Sequence, residues 1–251
     1  MRLALVPLAA FYALVLVAIV LALAGCSRIP GRPGPGPEVV RPNEVLDFPT
    51  LYKANCAACH GETGREGAAI SLANPVYLAV AGEENLREIT AKGVSRRLMP
   101  PFARSAGGML TDQQIDSLAR GMMQQWSKPD LLAGLSIPPY RSTLAGDAAR
   151  GQQAFSIFCA RCHGVAGEGT STADAKSGTG KVGSIVDGAY LALISDQGLR
   201  SIVIAGRPNE GMPDWRTDAA QPMTDQQITD VVAWLASKRT KNPGQPYPTK
   251  P

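Results

Sequence analysis

The chemistry available to this chain of 251 residues is concentrated in five cysteines and two histidines. Four of the cysteines form two pairs, each followed at once by a histidine: Cys56-Ala57-Ala58-Cys59-His60 and Cys159-Ala160-Arg161-Cys162-His163. C-x-x-C-H is the attachment signature of c-type haem. Two thiols with this spacing reach the two vinyl groups of one porphyrin. The next side chain then stands over the ring, where an imidazole nitrogen can bind iron. A single four-cysteine zinc site, or two redox dithiols, would also use the cysteines. Neither gives a role to the only histidines in the chain, both of which fall inside the motifs. The expected cofactors are two covalently bound haem c groups, held through Cys56, Cys59, Cys159 and Cys162, with His60 and His163 on iron. Only Cys26 is left over, so no disulfide is expected within the chain.

Each iron has a second axial position, and no further histidine exists to fill it, so the sixth ligand is another residue, water or nothing. Methionine is the natural candidate, because its soft thioether suits iron and His/Met ligation raises the potential of a c-type haem. An internal duplication chooses among the seven methionines. Cys56 and His60 recur 103 positions later as Cys159 and His163. Beyond the motif the spacing becomes 113 and holds, pairing Tyr77 with Tyr190, Leu86 with Leu199, Gly93 with Gly206 and Met99-Pro100 with Met212-Pro213. It continues to Thr111-Asp112-Gln113-Gln114-Ile115 and Thr224-Asp225-Gln226-Gln227-Ile228. Only Met99 and Met212 match each other, so these two are expected to complete the irons, with the following proline stiffening each loop. Met122 falls on an apolar helix face, where packing is the ordinary role. The change of spacing from 103 to 113 places an insertion in the Gly/Ser/Ala-rich stretch Gly164 to Gly183, expected to be an exposed loop.

The repeat also supplies the elements that must position these residues. Phe48, Leu51 and Tyr52 before the first motif, and Phe155 and Phe158 before the second, fit a helix that delivers the cysteine pair. Ile115, Leu118, Ala119 and Met122 make one apolar helix face; Ile228, Val231, Val232 and Leu235 make another. Both helices open with T-x-x-Q, a capping box. Asn85 to Lys92 and Gly198 to Ala205 read as short helices. Nothing alternates with period two for long enough to argue a sheet. The expected fold is all-α: two tandem small domains, each with an N-terminal C-x-x-C-H helix and a C-terminal helix around one covalent haem. The expected domains are 45–127 and 145–240. Residues 128–144, with Pro129, Pro138 and Pro139, form the linker, and 241–251 a flexible, Pro-rich tail.

Residues 1–25 are almost entirely apolar after Arg2 and end Leu23-Ala24-Gly25 before Cys26. The segment looks like a bacterial lipoprotein signal with Cys26 as the lipidated residue. An uncleaved membrane helix is the other reading, since the run approaches the ~20 residues that span a bilayer. Both readings export the chain and tether it to a membrane, and the Pro/Gly-rich residues 26–44 would act as a spacer. The expected location is the bacterial cell envelope, membrane-anchored and facing the periplasm or cell exterior. The net charge of +4 comes largely from the leader, linkers and tail, so neither a strong steering field nor nucleic-acid binding is expected. Arg96 and Arg97 offer a basic docking edge or propionate partners. Asn209 and Glu210 stand there in the second copy, so the two haem faces should differ.

This arrangement resembles the class I cytochrome c family, in which an N-terminal helix carries C-x-x-C-H and a later Met-Pro loop precedes a C-terminal helix. The tandem form is similar to the dihaem cytochromes c, including the dihaem subunits of some haem-copper oxidases. The resemblance implies that Cys56, Cys59, His60 and Met99 serve one haem, and Cys159, Cys162, His163 and Met212 the other. It implies an electron-transfer protein with redox protein partners, as a free carrier or as a subunit of a membrane respiratory or photosynthetic complex. The alternative is a peroxidase-like dihaem enzyme, which needs an open iron position and a distal acid-base group; no histidine is spare for that. One departure concerns the crossing of the two terminal helices, where the family often has glycine. Gly151 fits the second domain, but Phe48 stands at the equivalent place in the first.

Overall fold

The computed structural model describes residues 6–25, 36, 39–94, 98–171, 181–216 and 220–241. By internal contacts the chain divides into Met1–Pro42 and Asn43–Pro251. The first unit holds helix α1 (Val6–Gly25), which carries no charged residue. Its described side chains, residues 10–20, are exposed. Over the described residues no helix is long and apolar enough to cross a membrane. Cys26 lies outside the described residues.

The second unit is a duplicated array of helices. The first copy contains α2 (Phe48–Asn55), α3 (Ala57–His60), α4 (Pro75–Lys92) and α5 (Asp112–Trp126). The second contains α6 (Ala148–Phe158), α7 (Ala160–His163), α8 (Gly188–Leu193), α9 (Asp196–Ala205) and α10 (Asp225–Ser237). Polar side chains start the matching helices, at equivalent positions except that α6 begins about one turn earlier than α2, because each fills backbone N–H groups that the first helical turn leaves without partners. Asp47 and Asp147 cap α2 and α6, Asn74 and Asp187 cap α4 and α8, and Thr111 and Thr224 form the two predicted capping boxes. Helix α4 is two helices joined at Gly82, where φ is 67° and ψ 164°. The second copy breaks at the corresponding point, with Ser195 capping α9. Each copy therefore has a helix between its motif and the predicted short one, over 75–81 and Gly188–Leu193. These were not expected because runs of two turns or fewer carry too little periodicity to register.

The fold is all-α. Among the described residues the strands are β1 (Thr170–Ser171) and β2 (Lys181–Val182), a two-residue antiparallel pair inside the insertion. The insertion is bracketed by a repeated hydrogen bond. Ser71 Oγ donates to the Gly64 carbonyl at 3.0 Å, and Ser184 Oγ to the Gly167 carbonyl at 3.4 Å. The extra residues lie between 167 and 184.

The core runs through both copies. Leu78, Leu86, Ile115 and Leu118 are fully buried in the first, and Phe155, Leu191, Ile204, Ile228 and Val231 in the second. Each such side chain contributes about 1.5–3 kcal/mol relative to exposure. The terminal helices cross differently in the two copies. In the second, a Cβ on Gly151 would overlap the carbonyl oxygen of Asp230, so α6 and α10 touch backbone to backbone. In the first, Phe48 sits at the equivalent point, and its ring fills the space a Cβ on Gly121 would take. By the two repeat spacings Phe48 corresponds to Gly151 and Gly121 to Trp234. Large and small residues have exchanged sides across the same crossing. The Phe48 ring lies 5.7 Å from Tyr52 and 5.4 Å from Trp126, whereas Trp234 packs 4.4 Å from Phe155.

The segment expected to be a simple linker is packed between the copies. Leu132 and Tyr140 are buried. The Tyr140 ring lies 6.5 Å from Tyr77 of the first copy. Its carbonyl accepts from Gln197 Nε2 at 2.8 Å and Arg200 Nε at 3.2 Å in the second. Arg200, only 4% exposed, also donates to the Pro139 carbonyl at 2.7 Å and pairs with Asp225. Arg141 reaches back to Glu88 at 2.7 Å.

Candidate functional site

Both motifs form the same turn. Cys56 ends α2 and opens α3; the N–H of Cys59 and of His60 donate to its carbonyl at 3.1 and 3.0 Å. Cys162 and His163 donate to the carbonyl of Cys159 at the same two distances. One helical turn thus carries two thiols and an imidazole in each copy, and no disulfide joins these four cysteines. Burial pushes the Cys56 thiol up to about 11, with neighbouring Cys59 adding to it, and pushes Cys159 up to about 12, with Cys162 adding. A redox dithiol needs the opposite, a thiol lowered toward thiolate. Among the described residues no three His, Cys, Asp or Glu side chains cluster as metal ligands, so the cysteine pairs do not converge on one zinc site.

The histidines are set for ligation. His60 is buried, and its Nδ1 lies 2.7 Å from the carbonyl oxygen of Ile70. A carbonyl only accepts, so Nδ1 holds the proton and Nε2 keeps a free lone pair. Burial lowers the pKa of His60, with the Ile70 bond working against it, and burial also lowers that of His163. Both favour the neutral imidazole that binds a metal. His163 Nδ1 is buried with no hydrogen-bond partner among the described residues. Paired thiols and neutral imidazoles in this geometry fit a covalent haem.

The two Met-Pro loops are also built alike. The N–H of Val94 donates to the Met99 carbonyl at 2.9 Å, and the N–H of Arg207, its counterpart, donates to the Met212 carbonyl at 2.9 Å. Each loop folds over a glycine with positive φ, Gly93 at 65° and Gly206 at 64°. A Cβ on Gly93 would stand 2.5 Å from the Pro100 carbonyl carbon, and one on Gly206 would overlap the Pro213 carbonyl. Met99 and Met212 are both half-buried. Met122 and Met223 are buried in the core, and Met109 is 82% exposed. Arg96 and Arg97 lie outside the described residues. In the second loop Glu210 pairs with Arg207 at 2.7 Å. Sequence reasoning missed the Ile70 carbonyl and the cap Asn74. No side-chain type marks a carbonyl, but Asn74 repeats as Asp187 at the same spacing of 113 and could have been found.

Two family models match separate parts of the chain. Residues 148–238 match the cytochrome c family, and residues 44–120 match the family of cbb3-type cytochrome c oxidase subunit III. Among solved structures, a chain of the reducing HAO-like protein complex of Kuenenia stuttgartiensis is 16% identical, with a TM-score of 0.45. The match covers 81% of this chain and 99% of that one. No curated protein matches the sequence.

Proposed function

Because the chain consists of tandem class I cytochrome c domains that carry covalent haem c, we propose that it is a membrane-tethered dihaem relay for single electrons. Each haem, when bound, supplies an iron that cycles between ferrous and ferric and so carries one electron. Cys56, Cys59, Cys159 and Cys162 would anchor the two haems, and His60 and His163 would each donate Nε2. Met99 and Met212 would be the further protein ligands and would exclude water and small substrates. The reading rests above all on the Met-Pro loops. Two loops outside the motifs share the same main-chain bond and the same glycine support, as expected if both hold a weak Fe–S bond shut.

The likeness of residues 44–120 to a subunit of cbb3-type oxidases supports redox protein partners in a membrane respiratory complex. Lipidated Cys26 would provide the tether and place the domains outside the cytoplasm. Carbon monoxide binding to the reduced protein tests the relay, with haem counted per chain. Two haems and no carbon monoxide binding are expected. Prompt binding at one iron would instead mark an open site and an enzyme of the dihaem peroxidase kind.

A further inference from the structure

Asn74 joins the two copies at a place that bears on the second iron. Its Oδ1 caps α4, accepting from the N–H of Val76 at 2.9 Å and of Tyr77 at 3.3 Å. Its Nδ2 donates across the domain boundary to the carbonyls of Ala205 at 2.9 Å and Gly206 at 3.3 Å. The residue is 4% exposed, so these bonds are made away from water, where they are strongest. Ala205 is the last residue of α9 and Gly206 its C-cap. A Cβ on Gly206 would stand 2.6 Å from the Met212 carbonyl oxygen, so this backbone is the seat of the Met212-Pro213 loop. The next residue, Arg207, exchanges two main-chain hydrogen bonds with Met212, at 2.9 and 3.1 Å. One amide of the first domain therefore grips the segment on which the second Met-Pro loop is folded. The matching cap in the second copy is Asp187, which accepts from the N–H of Tyr190. Its carboxyl group brings no amide donor with which to repeat the Asn74 bond.

We propose that Asn74 is a positioning residue for the second haem. By donating to the last carbonyls of α9 it holds the Met212 loop closed, so the first domain sets how firmly Met212 stays on its iron. The inference rests on the reading of Met212 as an axial ligand. It makes the two haems inequivalent, because the integrity of the second depends on docking to the first.

The test uses the oxidised, full-length dihaem protein with Asn74→Asp and Asn74→Ser. Both replacements keep a side-chain oxygen that caps α4, and both lack the amide donor. Imidazole is the probe, since it reaches iron only when methionine leaves; Met99→Ala and Met212→Ala assign its two binding phases. Imidazole should bind the Met212 haem roughly threefold to tenfold more tightly in both Asn74 variants, the worth of one net hydrogen bond. The Met99 haem should be unchanged. Unaltered binding at both irons overturns the inference. Equal tightening at both also overturns it, because that signals a loosened first domain rather than a released grip. If Met212→Ala leaves imidazole binding as in the wild type, Met212 is no ligand, and the ligand reading fails before any Asn74 variant is made.

Discussion

Asp230 is 3% exposed, yet it has every partner a buried carboxylate needs. Arg150 donates to it twice, at 2.9 and 3.0 Å, and the Asp147 N–H and Gln226 Nε2 donate at 2.7 and 2.9 Å. Burial works against its ionisation, but the hydrogen bonds prevail and hold its pKa below the usual carboxylate value. A lowered folded-state pKa gives stability that is present above the unfolded value, about 3.9, and is lost as pH falls through the folded one. Asp230→Asn should therefore cost about 2 kcal/mol at neutral pH. Denaturant melts should show that gap constant above about pH 4 and shrinking below it. A gap that is the same in acid would mean that Asp230 acts through packing rather than charge. At this scale the motif residues were legible because covalent haem attachment is a local requirement written into five consecutive positions. Asp230 was not legible, because Arg150 and Asp147, which make three of these four bonds, lie on α6 and its N-terminal approach, some 80 residues away in sequence.

The exchanged residues at the helix crossing make a sharper prediction about elements. Gly121→Ala should destabilise the first domain by about 1–3 kcal/mol, because its methyl must displace the Phe48 ring. In a Phe48→Ala background the same change should be neutral or stabilising, since alanine favours a helix over glycine by about 1 kcal/mol. Gly151→Ala should find no such rescue, because the atom in its way is the Asp230 backbone carbonyl. Thermal melts of the single and double variants read out the difference, and additive costs for Phe48→Ala and Gly121→Ala would refute the coupling. The helices themselves were largely legible, through capping boxes and apolar faces that repeat. The absence of glycine at Phe48 was visible as a departure, but its resolution was not. Gly121 gains meaning only when it is set against Trp234, and the contact between Phe48 and Gly121 is tertiary.

Across the whole molecule, the linker turns two domains into one body. Its prolines marked a linker, but composition does not reveal that Tyr140 is buried between the copies or that Arg200 holds two linker carbonyls. Arg200→Met should remove these bonds and leave Asp225 without this partner, at about 2–4 kcal/mol. Limited proteolysis should then cut within 128–144 while the haem absorbance of both halves is retained. A linker that stays resistant would mean that the joint is held elsewhere. The exchange at the crossings has a consequence for assembly as well. Duplicated neighbours are prone to misfold by pairing an element of one copy with the other. If α2 docked on α10, Phe48 would meet Trp234 where there is room for one large side chain; if α6 docked on α5, Gly151 would face Gly121 across a void. Each wrong pairing would carry its own packing fault, which favours the native pairing of the helices.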